Sequence, residues 1–432
     1  MNFYNLKHKE EQLNFKEATI KGQGKDKGLF FPEDISKFSN EFLENLPNLS
    51  NEEIAFQVMK DFAGNEIPET ELRKIVAETI AFEIPLKKVT ENISVLELFH
   101  GPTLAFKDVG ARFMSRCLGY FLKNETRKVT VLVATSGDTG GAVANGFYDV
   151  EGIEVVILYP KNRVSPVQEK QLTALGKNIH ALEVNGSFDD CQALVKQAFS
   201  DDSLTEKLLL TSANSINVAR WLPQQIYYVL ALKQWLKIHS ENPVICVPSG
   251  NFGNICAGIL AHHRGLPVEH FIAACNVNDA VPEYLRTEIL KPKETVATIS
   301  NAMDVGDPSN FVRILELFDK EFNQVKNKLS GYTIDDEETL KTIERVEKDY
   351  GYVLDPHGAV AFVALEKYLT ENGGKGFFLE TAHPVKFPDS VEKATGKSVE
   401  IPKSLEELMT QEKFTTEINP QYEELKEFLL KK

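Results

Sequence analysis

The chain has 432 residues, of which 42 % are hydrophobic and 26 % are charged, a composition typical of a globular protein with two or three domains. Its net charge of −15 argues against nucleic acid as a partner, because contacts with nucleic-acid phosphates need a basic surface. The charge does not exclude a small anionic ligand, which needs only a local positive site.

The cysteines and the N-terminal segment indicate where the protein resides. The five cysteines are an odd number and form no Cys-x-x-Cys pair, which favours a reduced, cytoplasmic protein. The N-terminal stretch MNFYNLKHKEEQLNFKEA has no apolar segment typical of a signal peptide, and no run reaches the length of a membrane span. We therefore expect a cytoplasmic protein without a membrane partner.

Residues 1–80 are predicted to form a helical extension. Ser50 and Glu53 have the spacing of a capping box at the start of a helix that continues as IAFQVMKDF. Apolar residues then recur at helical spacing, and a second helix is predicted in ETELRKIVAETI.

From about residue 81, short apolar runs alternate with helical patterns. The runs are KVTVLVAT (128–135), EVVILYP (154–160), NIHALEV (178–184), NPVICVPSG (242–250), HFIAACN (270–276) and GFFLETA (376–382). The helical stretches include SFDDCQALVKQAF, with Ser187 as its N-cap, and SINVARWLPQQIYYVLALKQWL. This alternation predicts parallel sheets with helices on both sides, in which ligands bind beyond the carboxyl ends of the strands.

Two of the predicted strands are followed by glycines, polar side chains and the start of a helix. The loops are TSGDTGGAVANGF, residues 135–147, and SGNFGNICAG, residues 249–258. Free N–H groups and the positive dipole end of a helix N-terminus suit a phosphate or carboxylate, and glycine lets the backbone approach it. An ordinary strand-to-helix turn is the alternative for each loop alone. A nucleotide fits poorly, since neither the dinucleotide glycine spacing nor a Walker lysine is present.

Further candidate residues lie in two other segments. The segment TSANSINVAR places Asn214, Ser215 and Arg220 within two helical turns, and LETAHPVKFPDS places Thr381 and His383 after the last strand. Arginine binds phosphate and carboxylate groups through a fork of N–H donors, although a helix cap with a surface arginine is the plainer interpretation.

Metal and serine-hydrolase chemistry are not indicated. The adjacent His262 and His263 have no His-Glu-x-x-His motif or histidine cluster around them, so we expect no metal site. A Gly-x-Ser-x-Gly nucleophile elbow is also missing from the sequence.

One lysine has an unusual setting. Lys107 ends the apolar run in LFHGPTLAFKDVGARFM, shortly after a Gly-Pro pair. A surface lysine whose stem lies along apolar residues is the usual explanation. Beside two anion-binding loops, however, it suggests a lysine that forms a Schiff base with a phosphate-bearing cofactor. An apolar setting favours the neutral, nucleophilic amine that this chemistry needs.

Five motifs in this order resemble those of the threonine synthases: HGPTLAFKDVGARF, ATSGDTGGAVANGF, NSINVARWLPQ, VPSGNFGN and TAHPVKFP. The resemblance runs nearly end to end and is to the longer bacterial and fungal branch. It implies an α/β protein of pyridoxal-phosphate fold type II, like tryptophan synthase β, with two parallel-sheet-based three-layer domains and an N-terminal helical domain. The implied domains are an N-terminal helical domain (1–80), a large cofactor-binding domain (81–107 and 221–432) and a smaller mobile domain with substrate-binding loops (108–220).

The resemblance also implies roles for individual residues. Lys107 would hold pyridoxal 5'-phosphate as a Schiff base and transfer protons. The other cofactor-binding residues would be Gly250, Asn251, Phe252, Gly253 and Asn254 around the phosphate, and Thr381 at the pyridine nitrogen. The substrate-binding residues would be Ser136 and Thr139 at the carboxylate, Asn214, Ser215 and Arg220 at the substrate phosphate, and Thr135 as an extra contact.

The implied activity is that of a pyridoxal-phosphate-dependent carbon-oxygen lyase without a metal. It converts O-phospho-L-homoserine and water to L-threonine and phosphate by γ-elimination and β-replacement, the last step of threonine biosynthesis. The expected form is a monomer or weak homodimer. Two alternatives remain: a sister enzyme such as threonine dehydratase or cysteine synthase, which would not need the NSINVAR cluster, and a non-catalytic binding protein on the same scaffold, against which the intact Lys107 argues.

Overall fold

The structure is a computed structural model that describes residues 1–123 and 128–431. Its strands are β1 (Asn2–Asn5), β2 (Gln12–Asn14), β3 (Phe30–Pro32), β4 (Leu86–Lys88), β5 (Ile93–Glu97), β6 (Val129–Ala134), β7 (Ile153–Pro160), β8 (Ile179–Val184), β9 (Leu209–Thr211), β10 (Val244–Pro248), β11 (His270–Cys275), β12 (Leu329–Thr333), β13 (Gly376–Glu380) and β14 (Thr415–Ile418).

The α-helices of the described residues are α1 (Phe15–Lys21), α2 (Asn40–Asn45), α3 (Asn51–Ala63), α4 (Glu69–Thr79), α5 (Lys107–Leu122), α6 (Asp138–Phe147), α7 (Pro166–Thr173), α8 (Phe188–Ser200), α9 (Asp202–Thr205), α10 (Val218–Trp221), α11 (Gln225–Trp235), α12 (Gly253–His263), α13 (Ala280–Thr287), α14 (Phe311–Leu317), α15 (Phe322–Lys328), α16 (Asp336–Tyr350), α17 (Pro356–Asn372), α18 (Pro388–Thr395), α19 (Lys403–Thr410) and α20 (Tyr422–Leu430). Short 3-10 helices lie at Lys25–Lys27, Leu46–Asn48, Leu222–Gln224, Asn301–Met303 and Pro384–Lys386.

The chain folds into two compact units, and the first contains the described residues of Met1–Phe31, Lys107–Arg220 and Ile401–Lys432. Its main sheet is entirely parallel, in the order β14-β8-β7-β6-β9. Neighbouring residues of a strand point to opposite faces, yet Val131 and Leu132 in β6 are both fully buried. Both faces of this sheet are therefore covered, one of them by α8 and α20.

The second unit contains Pro32–Phe106 and Trp221–Glu400. Its sheet has the order β12-β11-β10-β13-β5-β4 and is parallel except for β4, which runs antiparallel to β5. Helix α17 packs across β10, β11 and β13. The alternate strand residues Ile245 and Phe271 are also buried, so this sheet too is covered on both faces.

The predicted α/β class with parallel sheets is confirmed. All six strands predicted from apolar runs are present, as β6, β7, β8, β10, β11 and β13. The predicted helix caps at Ser50 and Ser187 are also present, each side-chain oxygen accepting a backbone N–H. The domain boundaries remain a prediction.

Three local predictions need correction. Residues 1–80 contain helices but also a small sheet, in the order β2-β1-β3, whose strands are too short to show alternation. Glu53 does not complete the capping box, because its carboxylate contacts Gln57 and Arg73 instead. The long helix predicted after Ser215 is interrupted by a 3-10 turn at Pro223, since proline lacks the N–H of a continuous helix.

Within residues 1–123 and 128–431, no helix is both long and apolar enough to cross a membrane. In the same residues, no group of three or more His, Cys, Asp or Glu side chains is arranged to hold a metal ion.

Candidate active site

In the second unit, the loop after β10 forms an anion cradle. Phe252 has a φ of 61°, which turns the chain into the N-terminus of α12, and its ring packs edge-on against Phe311 with the centroids 5.6 Å apart. A Cβ atom on Gly250 would lie 2.7 Å from the Met303 Cα, so a larger residue does not fit there. The N-terminus of α12 therefore presents backbone N–H groups and a positive dipole end.

Asn254 adds a side-chain donor to this loop. The residue is 7 % exposed, and its Oδ1 accepts a hydrogen bond of 2.7 Å from the Tyr228 hydroxyl. Its Nδ2 is buried and has no hydrogen-bond partner among the described residues. Because an unsatisfied buried donor costs about 1–3 kcal/mol, this amide is a donor ready for an acceptor such as a phosphate oxygen.

The segment that leads to Lys107 pairs with the residues that follow β13. The Phe106 N–H donates to the Thr381 carbonyl at 2.9 Å, and the His383 N–H donates to the Leu104 carbonyl at 3.0 Å. Leu104 has a φ of 56°, a left-handed conformation that costs a non-glycine residue roughly 1 kcal/mol or more. This strained turn sets the path of the chain, and α5 begins at Lys107 directly after Phe106.

Buried side chains hold the same segment in place. Lys386 is fully buried, and its Nζ donates to the Thr103 carbonyl at 2.8 Å. The Tyr227 hydroxyl donates to the Phe106 carbonyl. Burial is the main cause that lowers the pKa of His383 to about 4, so the imidazole is neutral near pH 7. The TAHPVKFP motif thus supports the chain immediately before Lys107.

Glu380, the last residue of β13, is a buried acid that the sequence analysis did not predict. Its Oε1 accepts the Asp355 N–H at 2.7 Å, and the residue has no exposed surface. Burial raises the pKa of Glu380, and the nearby carboxylates of Asp355 and Glu97 raise it further. The carboxyl group is therefore more readily protonated than an ordinary glutamate.

In the first unit, the loop after β6 holds three of the predicted residues. Thr135 is 1 % exposed, and its hydroxyl accepts the N–H groups of Gly137 at 3.0 Å and Gly140 at 2.9 Å. Thr135 therefore shapes the turn that starts α6. Ser136 and Thr139 are partly exposed.

The other three lie in and just before α10: Asn214 and Ser215 precede the helix, and Arg220 lies within it. Asn214 and Ser215 are partly exposed and lie in a turn, whereas Arg220 is 3 % exposed. The Arg220 Nη1 donates to the Ala213 carbonyl at 2.7 Å. The helix begins at Val218, after the turn, rather than at Asn214.

Strand order explains which predicted residues come together. In the second unit β10 and β13 are parallel neighbours, so the 250–254 loop and Thr381 lie at the same edge of the sheet. In the first unit β6 and β9 are parallel neighbours, so the 135–139 loop and the 214–220 segment also share an edge.

Sequence reasoning missed the residues that support the 250–254 loop. The Ser309 N–H donates to the Asn251 Oδ1 at 2.7 Å, and the Asn310 Nδ2 donates to the Asn251 carbonyl at 3.1 Å. The only available signal was the turn-forming run GDPSN at residues 306–310.

A lysine shortly after a strained turn and a backbone anion cradle suit a pyridoxal-phosphate-dependent enzyme. The family described as pyridoxal-phosphate dependent enzyme matches residues 79–376, and this defines the class of the chain.

Two more specific family models match the N-terminal and C-terminal parts of the chain. Residues 2–80 match the family described as threonine synthase N terminus, and residues 358–429 match threonine synthase, C-terminal. Threonine synthase from Haemophilus influenzae is 45 % identical over all of both chains. The crystal structure of threonine synthase from Escherichia coli is 44 % identical over all of both chains, with a TM-score of 0.93. The PLP-bound threonine synthase from Brucella melitensis is 35 % identical over 99 % of this chain and 98 % of that one, with a TM-score of 0.92. The chain belongs to the threonine synthase family.

The cofactor of the chain is pyridoxal phosphate, and the residues of the second unit fit it. The buried Asn254 Nδ2 and the N-terminus of α12 offer donors suited to its phosphate. The loop has no acidic side chain that would repel that group.

Proposed function

We propose that this chain converts O-phospho-L-homoserine and water to L-threonine and phosphate, with Lys107 as the residue that carries pyridoxal phosphate. The observation that supports this most is the 45 % identity to a threonine synthase along the whole of both chains. The strained turn at Leu104 and the hydrogen bond from the Phe106 N–H to the Thr381 carbonyl fix the chain just before Lys107, which agrees with the proposal.

In this proposal Lys107, the 250–254 loop and Thr381 hold the cofactor. Bound pyridoxal phosphate supplies an electron sink for the bonds that break at the substrate carbons. The 250–254 loop holds its phosphate through backbone N–H groups and the Asn254 amide. Thr381 would be the partner of the pyridine nitrogen, and because its hydroxyl is neutral it would not favour a full positive charge on the ring. Lys107 would transfer protons at the substrate Cα, Cβ and Cγ.

The first unit binds the substrate. Ser136 and Thr139 bind the carboxylate at the start of α6, where N–H groups and the helix dipole favour an anion. Asn214, Ser215 and Arg220 bind the substrate phosphate. The bond between Cγ and the phosphate oxygen breaks, phosphate departs with the electron pair, and water later adds at Cβ. The fixed charge of Arg220 stabilises the phosphate as it leaves.

The remaining predictions on organisation belong to the same proposal. The domains are 1–80, 81–107 with 221–432, and 108–220. The enzyme acts in the cytoplasm as a monomer or weak homodimer, and it has no nucleic-acid or membrane partner.

The reaction is tested with the purified full chain and pyridoxal phosphate. We expect O-phospho-L-homoserine to yield phosphate and threonine in equal amounts. Separate assays with L-threonine, and with O-acetylserine plus sulfide, test the sister activities. The chain would be a sister enzyme if L-threonine gave a keto acid, or O-acetylserine gave cysteine, while O-phospho-L-homoserine gave no threonine.

The lysine assignment is tested by borohydride reduction of the holoenzyme and peptide mass mapping. The cofactor should be attached to the peptide that contains Lys107 and be lost in Lys107→Met. Lys386 provides a matched control, because it is also buried and contacts the same segment through Thr103. Lys386→Met should keep the label, and a label on Lys386 would refute the assignment.

A further inference from the structure

The loop proposed for the cofactor phosphate is anchored from behind by the segment before α14. The Ser309 N–H and both nitrogens of Asn310 donate to Asn251, at 2.7 Å to its Oδ1 and at 3.3 and 3.1 Å to its carbonyl. The rings of Phe252 and Phe311 pack edge-on beside these bonds. The position of Asn251 therefore depends on Asn310.

Asn310 is in turn held by a buried arginine. The Nη1 of Arg313 donates to the Asn310 Oδ1 at 2.7 Å, which leaves the Asn310 Nδ2 directed at Asn251. The Arg313 guanidinium lies over the Trp221 ring, 4.2 Å from its centroid, and the residue has no exposed surface. Burial lowers the pKa of Arg313 to about 9, so the side chain remains a cation at neutral pH.

The charge of this arginine has a direct electrostatic consequence for the loop. The loop itself, SGNFGN at residues 249–254, contains no basic side chain. Inside a protein the effective dielectric is much lower than in water, so a buried positive charge acts over a longer distance. The two hydrogen bonds in series from Arg313 to Asn251 polarise each other in the same direction.

We propose that Arg313 is a positioning residue for the cofactor phosphate, which orients the 250–254 loop through Asn310 and places a buried positive charge behind it. This inference rests on the proposed role of that loop. It assigns the positive charge for a phosphate dianion to a residue that does not belong to the loop and that does not touch the phosphate.

The test compares two ligands that differ only in the phosphate group. The affinities of the full-length apoprotein for pyridoxal phosphate and for pyridoxal are measured by absorbance titration, and their ratio isolates the phosphate contribution. Arg313→Met should lower this ratio about tenfold or more. Arg313→Lys should restore most of it, because the charge is kept. Asn310→Asp is a second variant if Arg313→Met does not fold. It places a carboxylate against the Arg313 guanidinium and removes the Nδ2 donor to Asn251, so it should also lower the ratio.

Phosphorus NMR of the holoenzyme gives a second readout that packing alone would not change. A nearby cation favours the phosphate dianion, so in Arg313→Met the bound phosphate should take up its proton at a higher pH than in the unmodified protein. An unchanged titration of the phosphate would overturn the proposal.

Arg264 is the matched control in the same unit. It is also fully buried, lies over Phe38 at 4.1 Å, and pairs with Asp61 at 2.7 Å. Arg264→Met should reduce stability without changing the affinity ratio. If the ratio falls equally in Arg264→Met, the effect is due to packing and the proposal is wrong. Ratios equal to that of the unmodified protein in both Arg313→Met and Asn310→Asp would also overturn it. If Asn254→Leu leaves the ratio unchanged, the role of the loop itself is wrong.

Discussion

Replacing Asn254 by leucine should have opposite effects on the apoprotein and on the bound cofactor. Leucine has nearly the same size as asparagine but no polar atoms. In the apoprotein, Asn254 has a buried Nδ2 without a partner among the described residues, whereas its Oδ1 accepts from Tyr228 at 2.7 Å. The Tyr228 hydroxyl keeps a second acceptor, the main-chain carbonyl of residue 254, at 3.0 Å.

The magnitudes follow from these contacts. Removing an unsatisfied buried donor recovers about 1–3 kcal/mol, and losing the bond from Tyr228 costs about 0.5–1.5 kcal/mol. The apoprotein should therefore be as stable as the unmodified protein or slightly more stable. A hydrogen bond to a charged group contributes about 1.5–3 kcal/mol, so pyridoxal phosphate should bind roughly 10- to 150-fold more weakly.

Two measurements on the same protein preparations test the predicted stability and cofactor affinity of Asn254→Leu. Urea unfolding of the apoprotein gives the stability, and titration with pyridoxal phosphate gives the affinity. Tyr228→Phe is the control, since it removes the contact to Oδ1 but keeps Nδ2, and it should retain the affinity within a few-fold. The reasoning fails if Asn254→Leu destabilises the apoprotein by more than about 1 kcal/mol or binds the cofactor normally.

Three further predictions concern the catalytic groups and the dependence on pH. Thr381→Asp should favour the protonated pyridine and divert the reaction to products such as those of transamination; product analysis that finds only threonine at the full rate would contradict this role. Arg220→Ala should lower kcat/KM by about 30- to 1,000-fold, the effect of about 2–4 kcal/mol, while cofactor occupancy measured by absorbance stays near normal; lost occupancy with normal kinetics would reverse the assignment. Burial lowers the pKa of His270 to about 4, below its ordinary value near 6.5, so the unfolded chain binds more protons between these values. The contribution of neutral His270 to the free energy of unfolding is therefore complete above about pH 6.5 and is about 2 kcal/mol smaller at pH 5. In His270→Gln, the free energy from urea unfolding should change less between pH 7 and pH 5 than in the unmodified protein.

The central strands of the two main sheets, except β5, were predicted from the sequence, whereas the edge strands were not. β6, β7, β10 and β11 are buried on both faces, so each appears as a continuous apolar run. The edge strands β4 and β14 have three and four residues and are partly exposed, so neither a run nor a regular alternation marks them. Their pairing depends on the neighbouring strand, which is distant in sequence.

The site could be predicted where its chemistry lies in continuous motifs. The glycine loop at 250–254 and Lys107 each stand out within about ten residues of sequence. The supports of these motifs come from elsewhere in the chain: Asn310 contacts Asn251 from a segment 59 residues away, and nothing in the sequence relates the two positions. The left-handed turn at Leu104 was equally hidden, because leucine is not a residue that usually marks such a turn.

The two proposed phosphate sites differ in a way that their tasks explain. The cofactor phosphate stays bound through the reaction, so its contacts are equally strong before and during bond breaking and contribute to occupancy rather than to rate. Fixed backbone N–H groups and one amide in the 250–254 loop, with the buried charge of Arg313 proposed behind them, serve that task. The substrate phosphate gains negative charge as its bond to Cγ breaks, so a guanidinium beside it interacts more strongly in the transition state and raises kcat. Changes in the loop should therefore appear first in cofactor affinity, and changes at Arg220 first in the rate of the bound enzyme.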